Sequence, residues 1–360
     1  MQAQPFDLNK LLRDVFAPRE GERVVVMVDT PHGAIAGDQD WTDRIEMARE
    51  WHTGFQRLDC EVLPLLSYPA TGASNADLPE SGDMDGRRVR LSDVLGQANI
   101  AVAMTRFSAT APLSAYVKKS GTLRVASMPN VLRRMEQSAL AADYSIIGPR
   151  THVLAERLTR AERANVIFET GHAFTFDLRY RTGHADDGMC TPDKKGFRLI
   201  NLPSGEAFIV PYEGEKPGEP SLTQGEVPVR RDGDTAVLRV ETNRIVHVEG
   251  AGKLSDYLRR HFDDDPARRN VAELGLGCND RALVTGNVLE DEKAGFHWAY
   301  GRSEHLGGVV GPGDFKSPAT VVHHDIVYAA GCPIGVQSLT LTDPGGETEL
   351  IMQENRYKVF

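Results

Sequence analysis

The sequence is poor in cysteine and short of basic charge. Its four cysteines are far apart and form no C-x-x-C pair, which argues against a zinc knuckle or a thiol redox motif and fits a reducing cytosol. Acidic residues outnumber basic ones by 51 to 41, for a formal net charge of -10. This charge argues against binding to nucleic acid or to an anionic membrane surface, because both require a basic patch. No apolar run approaches the roughly 18 residues of a membrane span, and Met1 to Lys10 lacks a secretory signal. We therefore expect a cytoplasmic protein.

The first half of the chain alternates strand and helix patterns. Asp7 can cap a helix that ends at Phe16, and Arg23 to Asp29 is an apolar run of the length of a strand buried on both faces. Such alternation predicts a parallel sheet covered by helices. Helices are predicted at 8–16, 41–58, 91–97, 111–119, 130–142 and 152–164, strands at 23–29, 61–66, 100–105 and 123–127, and a surface loop at 75–87.

The pattern changes near Asn165. Ala173 to Tyr180 alternates apolar and polar residues, with the period of two that is typical of a half-buried antiparallel strand. Further strands are predicted at 197–202, 207–210, 236–241, 244–249, 271–274, 297–300, 321–328 and 338–342, with a helix at 254–262. We predict an α/β fold in two domains: an N-terminal parallel-sheet α/β domain over residues 1–165, and a strand-rich α+β domain over residues 166–360 that binds metal and carries catalysis.

Acidic and imidazole side chains concentrate in two segments, Leu289 to His297 and Val321 to Tyr328. If the second segment is a strand, His323 and Asp325 project from one face and His324 from the other. Imidazole beside carboxylate suits zinc, cobalt, manganese or iron(II). Taken alone, such a pair is more often structural or exposed.

Three glutamates and one further histidine are weaker candidates individually. Glu292 and His297 lie five positions apart across Gly295, so a turn has to bring them together, and a solvated acidic loop is the alternative. Glu273 lies in an apolar, glycine-bounded run, where a carboxylate is costly unless it is paired or bound to metal; an exposed strand position is the alternative. Glu206 follows a Pro-Ser-Gly turn that can aim it into a cleft or leave it at a hairpin tip.

In combination these segments are more specific. NLPSGE ending at Glu206, AELGLG containing Glu273, the pair DE followed by His297, and HHD ending at Asp325 occur in this order. They resemble the metal-binding segments of the aminopeptidase T family of metallopeptidases, over roughly residues 166–360. The resemblance implies a homodimer with a dinuclear site for two divalent metal ions, zinc, cobalt or manganese. It implies as ligands Glu206, Glu273, Glu292, His297, His323 and Asp325.

One position departs from that family. Many members have a tyrosine seven residues after the histidine that matches His297, and here Glu304 occupies this position. A carboxylate is not a neutral hydrogen-bond donor unless its pKa is raised. We take Glu304 and Glu206 as candidate catalytic residues, with Glu206 or Glu273 as the proton shuttle. Tyr300 and His305 are possible replacements for the phenol.

A more distant resemblance is to the 2,5-dihydroxypyridine dioxygenases of the same fold, which hold one iron(II) with two histidines and an aspartate. They have a histidine where this sequence has Glu273, and lack a glutamate at the position of Glu206. Because both glutamates are present here, together with Glu292, the sequence favours two cations. The predicted function is therefore a metal-dependent hydrolase, an aminopeptidase or small-amide hydrolase acting on a short peptide or small molecule.

Two alternatives remain open at this point. The first is a mononuclear iron(II) ring-cleaving dioxygenase, and the second is a metal-stabilised binding protein without activity. Lys293, like Arg179 and Tyr180, is predicted to have an ordinary structural role.

Overall fold

The computed structural model describes residues 5–196 and 198–360. The chain divides into two compact units, each built from separated segments. The first unit comprises the residues up to Gly148 together with Asp186–Gly205 and Asn279–Leu283. The second comprises Pro149–Ala185, Glu206–Cys278 and Val284–Phe360.

Strands and α-helices are labelled here in chain order. The strands are β1 Arg23–Thr30, β2 Glu61–Val62, β3 Leu66–Pro69, β4 Ser81–Met84, β5 Arg87–Arg90, β6 Ile100–Met104, β7 Arg124–Ser127, β8 Arg163–Phe168, β9 Ala173–Asp177, β10 His184–Asp186, β11 Leu199–Asn201, β12 Glu206–Ile209, β13 Gln224–Arg231, β14 Asp234–Glu241, β15 Arg244–Glu249, β16 Val271–Gly277, β17 Phe296–Gly301, β18 His323–Tyr328, β19 Val336–Thr342, β20 Thr348–Gln353 and β21 Arg356–Tyr357. The helices are α1 Leu8–Phe16, α2 Gln39–Phe55, α3 Leu91–Gln97, α4 Thr110–Lys119, α5 Tyr144–Arg160, α6 Lys253–Asp264 and α7 Val288–Asp291.

The first unit is built on a largely parallel sheet. Its strands lie in the order β11-β7-β6-β1-β3-β4-β5, and β2 also pairs with β1. The central strand β1 pairs in parallel with β3 and β6, and β6 pairs in parallel with β7. Every residue of β6 and all but the end residues of β1 are buried, as expected for parallel strands covered on both faces. The predicted α/β architecture is confirmed.

Two local predictions in this unit were wrong. Pro64 divides the predicted strand at 61–66 into β2 and β3, because proline has no N–H to donate to a ladder. The predicted surface loop at 75–87 contains β4 and leads into β5, and the two form a hairpin. Its two-residue turn is Asp85-Gly86, with φ values of 52° and 79°, the Asp-Gly signal of a tight hairpin turn.

Three predictions need adjustment around the change in pattern near Asn165. The helix at 130–142 is two short 3-10 helices, Arg133–Gln137 and Ala139–Ala141. Helix α5 ends at Arg160, and its apolar continuation is the strand β8. The predicted strand at 197–202 begins at Phe197, outside the described residues, and its remainder, β11, pairs with β7. The domain boundary near Asn165 stays a prediction, and it differs from the compact units given above.

The second unit has two sheets. One has the order β15-β14-β13-β9-β8-β19-β20-β21, and the other has the order β10-β12-β16-β17-β18. Aromatic rings fill the space between them: Phe168 packs on Tyr328 with ring centroids 4.8 Å apart, and Phe174 packs on Trp298 at 6.2 Å. Alternate side chains of a strand point to opposite faces. The aromatic residues of β17 therefore lie on one face of the five-stranded sheet, and His297, Ala299 and Gly301 lie on the other.

Among the described residues, no helix combines the length and the apolar character needed to cross a bilayer. The cytoplasmic location stays a prediction.

Candidate metal centre

One face of the five-stranded sheet collects five of the six predicted ligands. Residues directly opposite each other in an antiparallel pair share a face. On this sheet Ala299 pairs with both Glu273 and Asp325, and Gly275 pairs with His297. The same registers place Gly301 opposite His323 and Gly277 opposite Glu206. Each charged or imidazole side chain therefore stands beside a glycine or an alanine.

These small residues make the space that the cluster occupies. A Cβ at Gly275 would lie 1.9 Å from Nε2 of His297, so no side chain larger than hydrogen fits there while the ring is in place. A Cβ at Gly277 would lie 2.3 Å from the backbone oxygen of Glu292. Gly275 thus leaves room for the ring of His297, and Gly277 leaves room for the turn that precedes β17.

Ligand atoms meet in two groups, and within each group they lie within 4.8 Å of one another. In the first group, Nε2 of His297 is 3.3 Å from Glu206 Oε2 and 3.8 Å from Glu273 Oε1. In the second, Nε2 of His323 is 2.9 Å from Glu273 Oε2 and 3.6 Å from Asp325 Oδ1. Glu273 belongs to both groups, with one oxygen facing each imidazole.

Both imidazoles are held in the orientation that a metal ligand requires. His323 Nδ1 donates to the backbone oxygen of Arg302 at 2.7 Å, and His297 Nδ1 faces that of Gly295 at 3.3 Å. A carbonyl oxygen only accepts, so the proton lies on Nδ1 and Nε2 is left to face the carboxylates. Metal-binding histidines are commonly fixed by such a bond. Donor type and orientation therefore fit a divalent cation.

Electrostatics in the cluster are dominated by the excess of carboxylates. Burial acts to lower the pKa of His297, but Glu273, Glu206 and Asp325 outweigh it and raise the pKa to about 9. Burial likewise opposes the shift at His323, whose pKa is raised well above its ordinary value by Asp325 and Glu273. Burial would raise the pKa of Glu273, yet the two histidines hold it below the ordinary range. The carboxylates thus attract positive charge, whether protons or a metal ion.

Glu292, the sixth predicted ligand, reaches the cluster through a lysine. Lys293 is only 1% exposed, and its ammonium donates to Glu206 Oε1 at 2.5 Å and to Glu292 Oε1 at 2.7 Å. Burial, with Glu206 and Asp325 nearby, raises the pKa of Glu292 against the opposing effect of Lys293. The sequence analysis gave Lys293 an ordinary structural role. Its position directly after a candidate ligand was the signal that could have drawn attention to it.

The residues proposed to replace the family tyrosine lie in different places. Glu304 is in a 3-10 turn with its side chain 51% exposed, and it accepts from Arg302 at 2.8 Å. It belongs to neither group of ligand atoms, so its catalytic assignment stays a prediction without support from its placement. Tyr300 points to the opposite, aromatic face and packs on Phe262 at 5.1 Å. His305 is exposed, and its ring meets that of His323 edge-on at 5.0 Å.

Comparison with known proteins identifies the family. The family model for 2,5-dihydroxypyridine 5,6-dioxygenase matches residues 40–330. The chain belongs to this dioxygenase family. A search of the curated proteins gives no match.

Two solved structures share the fold of this dioxygenase-family chain. The 2,5-dihydroxypyridine dioxygenase from Pseudomonas putida KT2440 is similar with a TM-score of 0.64 and 18% identity, over 97% of this chain and 96% of that one. Wild-type AmpT from Thermus thermophilus is similar with a TM-score of 0.60 and 17% identity, over 98% of each chain. At such identities the likeness concerns the fold alone.

These findings correct the predicted function. The hydrolase prediction, an aminopeptidase or metalloprotease acting on a peptide or small amide, was wrong, because the family model that matches most of the chain is that of a dioxygenase. The hydrolase prediction rested on the resemblance of four short segments and on the number of carboxylates, whereas the family model spans residues 40–330. The protein belongs among enzymes, as predicted, and the comparisons give no support to a dinuclear site.

Proposed function

We propose that this protein is a dioxygenase that opens a dihydroxylated pyridine or a closely related aromatic ring, using one iron(II). The family match over residues 40–330 carries the proposal. The cluster on the five-stranded sheet supports it, because buried and half-buried imidazoles and carboxylates converge there from four strands. The substrate is then a small aromatic molecule that carries hydroxyl groups.

Imidazole and carboxylate donors suit a non-haem iron(II), and the set present here differs by one ligand from the common two imidazoles and one carboxylate. Here Glu273, His323 and Asp325 would hold the ion, with His297 adjacent to Glu273 as the second imidazole of the cluster. When bound, iron(II) supplies the redox chemistry that lets dioxygen react with an aromatic ring. The second carboxylate in place of a histidine makes this set more anionic than two imidazoles and one carboxylate.

The remaining side chains would position the substrate and handle its protons. Glu206 holds Lys293 through Oε1 and directs Oε2 toward the cluster, so Oε2 is placed to accept a proton from a ring hydroxyl. His305 is exposed beside His323, where it can contact a ring that approaches the metal. The aromatic face of the sheet keeps water away from the cluster on its other side.

Oxygen uptake tests the proposal. Metal-free protein is loaded anaerobically with iron(II) and mixed with 2,5-dihydroxypyridine in an oxygen-electrode cell. We expect one molecule of dioxygen consumed per ring, loss of the aromatic absorbance, and both atoms of labelled dioxygen in the product, as breaking the bond between C5 and C6 by a dioxygenase requires. Asp325→Asn should abolish uptake. Asp263→Asn is the matched control, because the Asp263 carboxylate on α6 is exposed and pairs with Arg269.

Absence of uptake with iron-loaded protein across a panel of dihydroxylated pyridines and benzenes would refute the proposed activity. Equal uptake by zinc-loaded protein would refute the role of iron. The predicted homodimer also remains a proposal, and light scattering of the purified protein tests it.

A further inference from the structure

Lys293 is buried beside the first group of ligand atoms. It lies in a short 3-10 turn, Glu292–Ala294, directly before β17. This turn packs against β16 so closely that a Cβ at Gly277 would lie 2.4 Å from the backbone carbon of Lys293. The backbone below the side chain is therefore fixed, and the ammonium is held against Glu206 and Glu292.

An ammonium is costly to bury unless carboxylates pair with it. Lys293 has two such partners, and one of them, Glu206, belongs to the first group of ligand atoms. The cation bound by Glu206 in the folded chain is therefore a side chain. A divalent ion placed on Glu206, Glu273 and His297 would share Glu206 with this ammonium, and like charges so close repel strongly where water is excluded.

The second group of ligand atoms is arranged differently. His323 contacts both Glu273 and Asp325 directly, and the ion pairs described for Lys293 are with Glu206 and Glu292. A single divalent ion on these three residues has one imidazole and two carboxylates as ligands, without a cationic side chain paired to any of them among the described contacts.

We propose that Lys293 is a built-in cation that takes the place of a second metal ion and limits this site to one ion, on Glu273, His323 and Asp325. This inference rests on the proposed function in so far as that function requires a metal at the cluster. According to this proposal, Lys293 sets the number of metal ions that each chain binds. The proposal also predicts that the chain carries a latent second metal site, which removal of the ammonium exposes.

Metal stoichiometry tests the inference without any assay of activity. Metal-free wild type and Lys293→Gln are dialysed to equilibrium against manganese(II), and bound metal is measured by mass spectrometry. We expect one equivalent in the wild type at all concentrations that leave it folded, and two equivalents in Lys293→Gln. Because the two ions would share Glu273, the manganese spectrum of the variant should show magnetic coupling, which the wild type lacks.

Three further variants act as controls. Lys293→Arg keeps the positive charge and should keep one equivalent. Lys194→Gln removes a partly buried lysine outside the cluster, paired with Asp187 at 2.7 Å, and should also keep one equivalent. The double variant Lys293→Gln/Glu206→Gln loses a ligand of the latent site and should return to one. Circular dichroism establishes that each variant is folded.

The possible outcomes are distinct. Two equivalents in the wild type overturn the inference, and this result does not depend on whether any variant folds. One equivalent in both wild type and folded Lys293→Gln overturns the inference but leaves the proposed function standing. No manganese bound by the wild type overturns the inference that one ion binds on Glu273, His323 and Asp325. Iron-dependent oxygen uptake, measured separately, reports on the proposed function alone.

Discussion

The imidazole of His297 lies against the Cα of Gly275, where a Cβ would come within 1.9 Å of Nε2. Gly275→Ala should therefore push the ring out of the cluster and disturb Glu273, which faces it at 3.8 Å. Disturbing the groups that orient a metal ligand typically costs 10–100-fold in affinity, and we expect a loss of about 10-fold or more. Competition titration with a chelating dye measures it.

Gly96→Ala is the matched control, because a Cβ at Gly96 on α3 meets nothing within 4 Å. It should leave the metal affinity unchanged and leave the protein as stable or slightly more stable, since alanine is the better helix former. An unchanged affinity in Gly275→Ala would show that the position of His297 does not matter to the bound ion.

Metal removal should destabilise the second unit. A ligand that binds only the native state adds stability that grows with its concentration, about 2.7 kcal/mol at a hundred times the dissociation constant. Urea unfolding with and without a chelator measures this difference. In Asp325→Asn the difference should largely vanish, because one of three ligands in the second group is lost. A chelator effect of equal size in this variant would place the ion elsewhere.

Glu304→Gln tests whether Glu304 is catalytic, as the sequence predicts, or has no part in the reaction, as its exposed position indicates. Its carboxylate is exposed and paired with Arg302, and exposed ion pairs contribute at most about 1 kcal/mol. We expect iron-dependent oxygen uptake to stay within about twofold of the wild type, a difference that corresponds to well under 1 kcal/mol. A loss of a hundredfold would restore Glu304 to a catalytic role and mean that its turn moves when substrate binds.

His261 on α6 should make stability depend on pH. Burial, with the nearby charges of Arg268 and His324, lowers its pKa to about 4, and Asp264 opposes this only in part. The unfolded chain, whose histidine has an ordinary pKa near 6.5, therefore binds more protons between these two values. Stability is fully present above pH 6.5 and falls as the pH drops toward 4.

The measurement compares the free energy of unfolding of wild type and His261→Gln from pH 7.5 to 4. The rings of Tyr257, Phe262 and Tyr300 also pack on His261, so the variant is less stable at neutral pH. The gap between the two proteins should narrow as the pH falls through this window. Parallel curves would mean that His261 titrates normally in the folded chain.

The alternation of residues in the sequence was sufficient to predict which side chains of a strand share a face. The alternation in β18 correctly separated His323 and Asp325 from His324, whose ring packs on Tyr300 across the sheet. The apolar, glycine-bounded run around Glu273 also indicated correctly that this carboxylate is buried and paired. Periodicity and turn chemistry are local properties, and they were read from a few neighbouring residues.

The same patterns could not reveal which strands are neighbours or where long side chains end. Strand β13 was missed because Pro228 interrupts its apolar run, although it pairs with β14 from Gly225 to Arg231. Strand β8 was not predicted: the predicted helix ran to Ala164, two residues into this strand, because the apolar residues there continue the spacing of the helix. The contact of Lys293 with Glu206 joins residues far apart in sequence, and only the folded sheet brings them together.

The separation of the candidate ligands along the chain has a kinetic consequence. Glu273 and Asp325 come from strands β16 and β18, which become neighbours of the same cluster only once β17 lies between them. Pairings between such distant segments form late. An ion that needs all of them cannot guide early folding; it should instead slow unfolding, because interactions absent from the transition state act on that rate.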